Sequence, residues 1–306
     1  MIREADAQSA KADGDENTLW MSASSAISNV SLRYTRSRGS IDLFELDMHD
    51  LWHLYYHTSM NIGHDRVEQD RLIVQILSAR ELGVLARQNE NEATRQEAVT
   101  KDGTIWKDLP FLVGDLTKYW ITGKMTINQR TNYASFLAKL SAAGVGNDKL
   151  CGCALIVLRD ALETLRPTLK GNAGAPGIPD NDENEDKQWT IESLSVAELL
   201  PIANMWLFKA GNKLVELSEK SANFFPNDLG KLGELARAGG VPDSVGFSPQ
   251  RWLFWYQRLQ TLETETADQD FAALARGVKN NMVSSCCESE SQMSHELRRR
   301  DLLAIS

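Results

Sequence analysis

The stretch from Thr126 to Leu165 constrains this chain most, because it spells out a capped helical hairpin. Thr126 and Gln129 have the spacing of a capping box, in which a hydroxyl satisfies one orphan N–H and the amide reaches back to another. Tyr133, Phe136, Leu137 and Leu140 follow at i, i+3, i+4 and i+7, a single apolar stripe of a 3.6-residue helix. Gly144 supplies a left-handed exit. Asn147 restarts the chain, and Leu150, Cys153, Ala154, Val157, Leu158, Ala161, Leu162 and Leu165 hold the next stripe until Pro167.

The same pattern recurs along the chain with almost no strand signal. It predicts helices over 42–60, 67–87, 109–121, 127–143, 148–165, 196–221, 228–237, 249–263 and 269–282. Ser195 with Glu198 forms a second capping box, and Ser248-Pro249 is an N-cap followed by proline at the first helical position. Pro201 predicts a kink or a fresh start. The expected fold is all-α, an irregular orthogonal bundle of about nine helices with disordered tails and one acidic loop. Residues 1–40 read as a flexible arm, 41–282 as a single helical domain and 283–306 as a tail. Within the domain, 166–190 is a Pro/Gly-rich and then acidic insertion.

Composition narrows the function classes. The net charge is −9 over 306 residues. Residues 171–190 hold five acids and one base, so the rest of the body is close to balanced. Such a surface offers little counterion release to a phosphate backbone, which argues against nucleic acid as a partner. The longest apolar run, Leu150 to Leu158, is nine residues, far short of the ~20 a bilayer requires, so no membrane partner is expected. The acidic N-terminal residues lack a signal-peptide layout, and a cytoplasmic location is expected, with Arg298–Arg300 a weak argument for a nuclear one. Cys153 falls on a core stripe. Cys286 and Cys287, adjacent in a Ser/Glu-rich stretch, read as a solvated reduced pair.

Two sets of residues could carry chemistry. His49, His53 and His57 recur every four residues, with Glu45 one turn before them. Side chains four apart share a helix face, as metal-binding His pairs do. His49 and His57 are about 12 Å apart along the axis by helical rise, so one ion can take only an adjacent pair. The plainer alternative is that Met48, Leu51, Trp52, Tyr55 and Ser59 form the buried stripe, with the histidines half-exposed beside it. The second set, Trp206, Arg251, Trp252, Trp255 and Tyr256, could stack a planar ligand. Aromatics at this spacing are more often core, or an oligomer interface. Asp180, Asp182 and Asn184 mimic the start of a calcium loop, but Glu185 stands where its glycine belongs. No P-loop, GxGxxG or GxSxG is present, and no cofactor is expected.

Several blocks together resemble an all-helical fungal family, domain of unknown function 3632. They are LWHLYY (Leu51 to Tyr56), QDR with ARELG (Gln69 to Gly83), WKDLP (Trp106 to Pro110) and NYASFLAKL (Asn132 to Leu140). CALIVLRDALE (Cys153 to Glu163), LLPIANMWLFKAG (Leu199 to Gly211) and GFSPQRWLFWYQRL (Gly246 to Leu259) continue them. The resemblance covers about 45–265 and implies a fungal, non-secreted protein. It brings no activity, cofactor or catalytic residue with it. The leading functional expectation is therefore a non-enzymatic interaction or regulatory protein with a protein partner or a second copy of itself. The alternative is a small-molecule-binding or metal-assisted enzyme with a pocket between the histidine helix and the Trp252 helix.

Overall fold

A computed structural model describes residues 16–37, 39–88, 94–169, 187–243 and 245–297. The chain is mostly helical, and each of the nine expected helices has a counterpart. The chain divides into two compact units, Met1–Ile121 and Thr122–Ser306. The acidic stretch 171–186, the mimic of a calcium loop and Arg298–Arg300 lie outside the described residues.

The first unit is built on α1 (Glu16–Arg36), α2 (Asp42–Asn61), α3 (Val67–Glu81) and α4 (Leu112–Thr122). Helix α1 replaces part of the flexible arm expected over 1–40. Its stripe is Leu19, Ala23, Ile27, Val30 and Tyr34, all buried, and it packs against α2 and α3. Serines and alanines around these residues dilute the apolar contrast, which hides the period in the sequence. Helix α3 stops at Glu81, short of the expected 87, because Gly83 turns left-handed at φ +71°. The chain then forms two small antiparallel hairpins, absent from the sequence reading. They are β1 (Ala86–Gln88) with β2 (Arg95–Glu97), and β3 (Val99–Thr100) with β4 (Gly103–Thr104). Ala86 pairs with Glu97 and Val99 with Thr104. Gly103, at φ +128°, is required there, since a Cβ would stand 2.8 Å from that of Asp108.

The second unit contains α5 (Ile127–Ala142), α6 (Gly152–Leu162), α7 (Val196–Glu219), the short α8 (Asn227–Gly230) and α9 (Glu234–Ala238), α10 (Pro249–Glu265) and α11 (Gln269–Glu288). Helix α7 is central, packed by α5, α6, α10 and α11. Both capping boxes form, at Thr126/Gln129 and Ser195/Glu198, and the Ser248 hydroxyl accepts from the Arg251 N–H at 3.1 Å. The two ends of the acidic stretch are tied to this unit. Trp189 bridges Met125, while the carbonyls of Pro167 and Thr168 accept from Val196 and Ala197.

Three details differ from expectation. Helix α7 runs straight through Pro201 and breaks at Ala210 (φ −132°, ψ 16°). There the Ser285 hydroxyl of α11, which donates to the Asn281 carbonyl at 2.9 Å, stands 3.4 Å from the Leu207 carbonyl, and a Cβ on Gly211 would meet it at 2.0 Å. A side chain inserted into the helical ladder is a sufficient cause of a kink. Helix α6 ends at Leu162 and leaves Leu165 72% exposed, because Glu163 turns inward. Cys286 is buried in α11 and only Cys287 is partly exposed, so the two do not form a solvated pair.

Candidate functional site

The two expected sets of site residues separate sharply. Trp206, Arg251, Trp252, Trp255 and Tyr256 all have no exposed surface and sit in the core of the second unit. Arg251 shows why. Its Nε and Nη2 donate to Glu163 at 2.6 and 3.1 Å, its Nη1 to the carbonyls of Gly230 and Gly246 at 2.7 Å each, and Nη2 again to Lys231 at 3.1 Å. Glu163 is equally saturated, accepting from Trp255 Nε1 at 2.6 Å and the Gly233 N–H at 2.7 Å besides Arg251. The Glu163 carbonyl also accepts from the Leu235 N–H at 2.8 Å. A guanidinium with all five N–H groups engaged has none left for a ligand. This cluster staples α6, α8, α9 and α10 together. Burial pushes the thiol of Cys286 up to about 12. Sequence reasoning missed Glu163, although a glutamate just after an apolar run of helix is the available signal.

The histidines lie on the first unit. Met48, Leu51, Trp52, Tyr55 and Ser59 form the buried stripe of α2, and His49, His53 and His57 lie half-buried to exposed beside it. His49 is fixed separately from the other two. Its Nδ1–H donates to Asp115 Oδ2 at 2.6 Å, and its ring lies 4.4 Å from that of Phe111. A carboxylate oxygen facing the ring accepts from it, so this contact puts a proton on Nδ1 and orients the imidazole. Glu45, one turn earlier, pairs with Lys101 at 2.9 Å, and that ammonium holds its carboxyl below the usual carboxylate range.

His53 and His57 contact each other, with ring centroids 4.4 Å apart. His53 also meets Tyr119 at 5.4 Å, and Tyr56 stacks on Tyr119 at 4.6 Å. Partial burial, then the carboxylate of Asp115, then Tyr56 and Asp50 push the Tyr119 phenol up to about 12, so it remains a neutral hydrogen-bond donor. Asp115, Tyr119 and Phe111 were missed from the sequence. Asp115 and Tyr119 stand four apart on α4, the helical spacing that could have marked them.

The loop leading into α4 is strained. Trp106, Leu109 and Phe111 have φ of 70°, 50° and 66°, a region costly for residues with side chains. The segment is held by specific partners at Trp106, Pro110 and Phe111. Trp106 Nε1 donates to Ser31 at 3.0 Å, Trp52 Nε1 to the Pro110 carbonyl at 2.7 Å, and the Phe111 N–H to Asp102 at 2.6 Å. The strain places Phe111 and Asp115 against His49. Among the described residues, no group of three or more His, Cys, Asp or Glu converges to hold a metal. An open hollow of about 540 Å³ lies on the second unit between Glu219, Pro249, Leu253, Glu290, Gln292, Met293 and Glu296.

Fold and site together define a mostly helical protein that carries a histidine-rich helix face held by a strained loop. The family described as Protein of unknown function (DUF3632) matches residues 52–259, and the chain belongs to it. It is 35% identical over 243 residues to Oxopyrrolidines biosynthesis cluster protein G of Penicillium oxalicum, covering 78% of this chain and 66% of that relative. The chain thus spans just under two thirds of that relative's length. No solved structure matches it. Among the described residues no helix is long and apolar enough to cross a membrane.

Proposed function

We propose that this protein acts without chemistry of its own, as an interaction or regulatory partner in a fungal biosynthetic pathway for a secondary metabolite. The pathway comes from the name of the Penicillium relative. The interaction reading is carried by the outer side of α2. Leu43, Leu46, Asp50, His53 and His57 follow at alternating three- and four-residue steps, the spacing of a helix-packing seam. Leu43 and Leu46 nonetheless stand 55% and 64% exposed. An isolated exposed leucine is ordinary, but two on a seam facing outward suit a partner helix or sheet.

The test is complementation. A strain lacking the gene receives the wild type, the pair Leu43→Asp with Leu46→Asp, or His49→Gln, and its secondary metabolites are quantified. The leucine pair, which removes only exposed apolar surface, is expected to leave the melting temperature intact and to fail to restore the profile. Full restoration by that pair would overturn the reading. A second reading, acid–base chemistry on a small molecule, is favoured by the carboxylate-oriented imidazole of His49. It predicts the reverse, with loss on His49→Gln and restoration by the leucine pair.

A further inference from the structure

Three histidines share one side of α2, yet they are committed differently. His49 is bound by Asp115 and packed on Phe111. His53 is exposed, His57 half-buried, and their rings lie 4.4 Å apart at 72°. Two imidazoles on one ion, through bonds of ~2.0–2.1 Å at near-tetrahedral angles, have centroids roughly 5 Å apart. Rotation of the His53 and His57 side chains, which also meet Tyr119 at 5.4 Å and Tyr56 at 4.9 Å, therefore reaches chelating geometry without any backbone change. The helix enforces the spacing, since residues four apart rise only about 6 Å along the axis.

We propose that His53 and His57 form a two-nitrogen site for a divalent transition-metal ion of the zinc, nickel and copper class. Neutral imidazoles select these ions over magnesium or calcium, which prefer oxygen. Each ring gives one nitrogen to the ion. Asp50, one turn earlier and exposed, adds a negative field that favours a cation. Two protein ligands leave at least two coordination positions to water or to a donor from another molecule. The ion is thus exchangeable rather than caged, in keeping with the lack of a third converging ligand among the described residues. This inference goes beyond the interaction reading and stands or falls separately from it.

The test uses the full chain without an affinity tag, stripped with a chelator and titrated with zinc against a chromophoric competitor. One ion per chain is expected. His53→Gln, His53→Ala and His57→Ala should each weaken binding at least about tenfold, since even an outer-sphere partner is worth that much. His49→Ala should stay within about twofold of wild type. Thermal melting in EDTA checks that each variant is folded. Absence of stoichiometric binding by the wild type would overturn the proposal, as would equal loss in His49→Ala and His57→Ala.

Discussion

Replacing Glu163 by alanine isolates what the buried staple contributes to the second unit. The substitution strands the Arg251 guanidinium at zero exposure with two of its five donors unmet, and it orphans the Trp255 and Gly233 N–H groups. Breaking a buried pair by removing one partner costs about 3–5 kcal/mol, because the remaining charge is left desolvated. That is a large share of the 5–15 kcal/mol that ordinarily holds a domain together. For a unit of this size, about 2–4 °C of melting temperature accompanies each kcal/mol, so the midpoint should fall by about 6–20 °C. Urea and thermal unfolding followed by tryptophan fluorescence measure this directly. A useful control is Arg33→Ala, which removes an ion pair to Asp47 whose arginine is 63% exposed, and it should cost at most about 1 kcal/mol. The double change Glu163→Leu with Arg251→Met should cost less than the two single changes added together, because no lone charge remains buried. A loss under about 1 kcal/mol for Glu163→Ala would refute the assignment of this cluster as a structural staple.

Other outcomes follow from individual groups. Thr126→Ala removes one half of a formed capping box and should destabilise the protein by about 1 kcal/mol in chemical denaturation, with Thr126→Ser close to neutral. Burial holds the thiols of Cys151 and Cys286 up at about 12, so at pH 8 a thiol reagent should label Cys287 quickly and the others only on unfolding. The Tyr119 phenol, pushed up to about 12, should contribute nothing to tyrosinate absorbance at pH 10.5. Tyr119→Phe should then leave that absorbance unchanged. A phenol raised in the folded state favours folding fully below its unfolded value of about 10, and this contribution is lost as pH rises toward 12.

The sequence revealed those parts of the fold in which local chemistry and tertiary structure agree. Thr126 with Gln129, Ser195 with Glu198 and Ser248 before Pro249 each satisfy orphan N–H groups within a few residues, so their signal is complete in a short window. Distant partners set the features that were not legible. Glu163 leaves the end of α6 because Arg251, eighty-eight residues later, requires its carboxylate. Ala210 breaks α7 because Ser285 of α11 reaches its ladder. The hairpins after α3 consist of very short strands, whose period-two pattern cannot emerge from so few residues. Of the candidate site residues, the histidines were legible as a stripe, because period alone shows a shared face. Phe111 and Asp115, which divide that stripe into one oriented imidazole and one adjacent pair, come from the strained loop and the first turn of α4, about sixty residues away.

The aromatic set around Arg251 is interior, while the histidine side of α2 meets solvent. Hydroxyl-radical footprinting of the native protein, read by mass spectrometry, tests both halves in one experiment. Leu46 and His53 should oxidise readily, with Trp206, Trp252, Trp255 and Tyr256 protected until the chain unfolds. Rapid oxidation of Trp252 and Trp255 alongside a protected His53 would contradict both assignments.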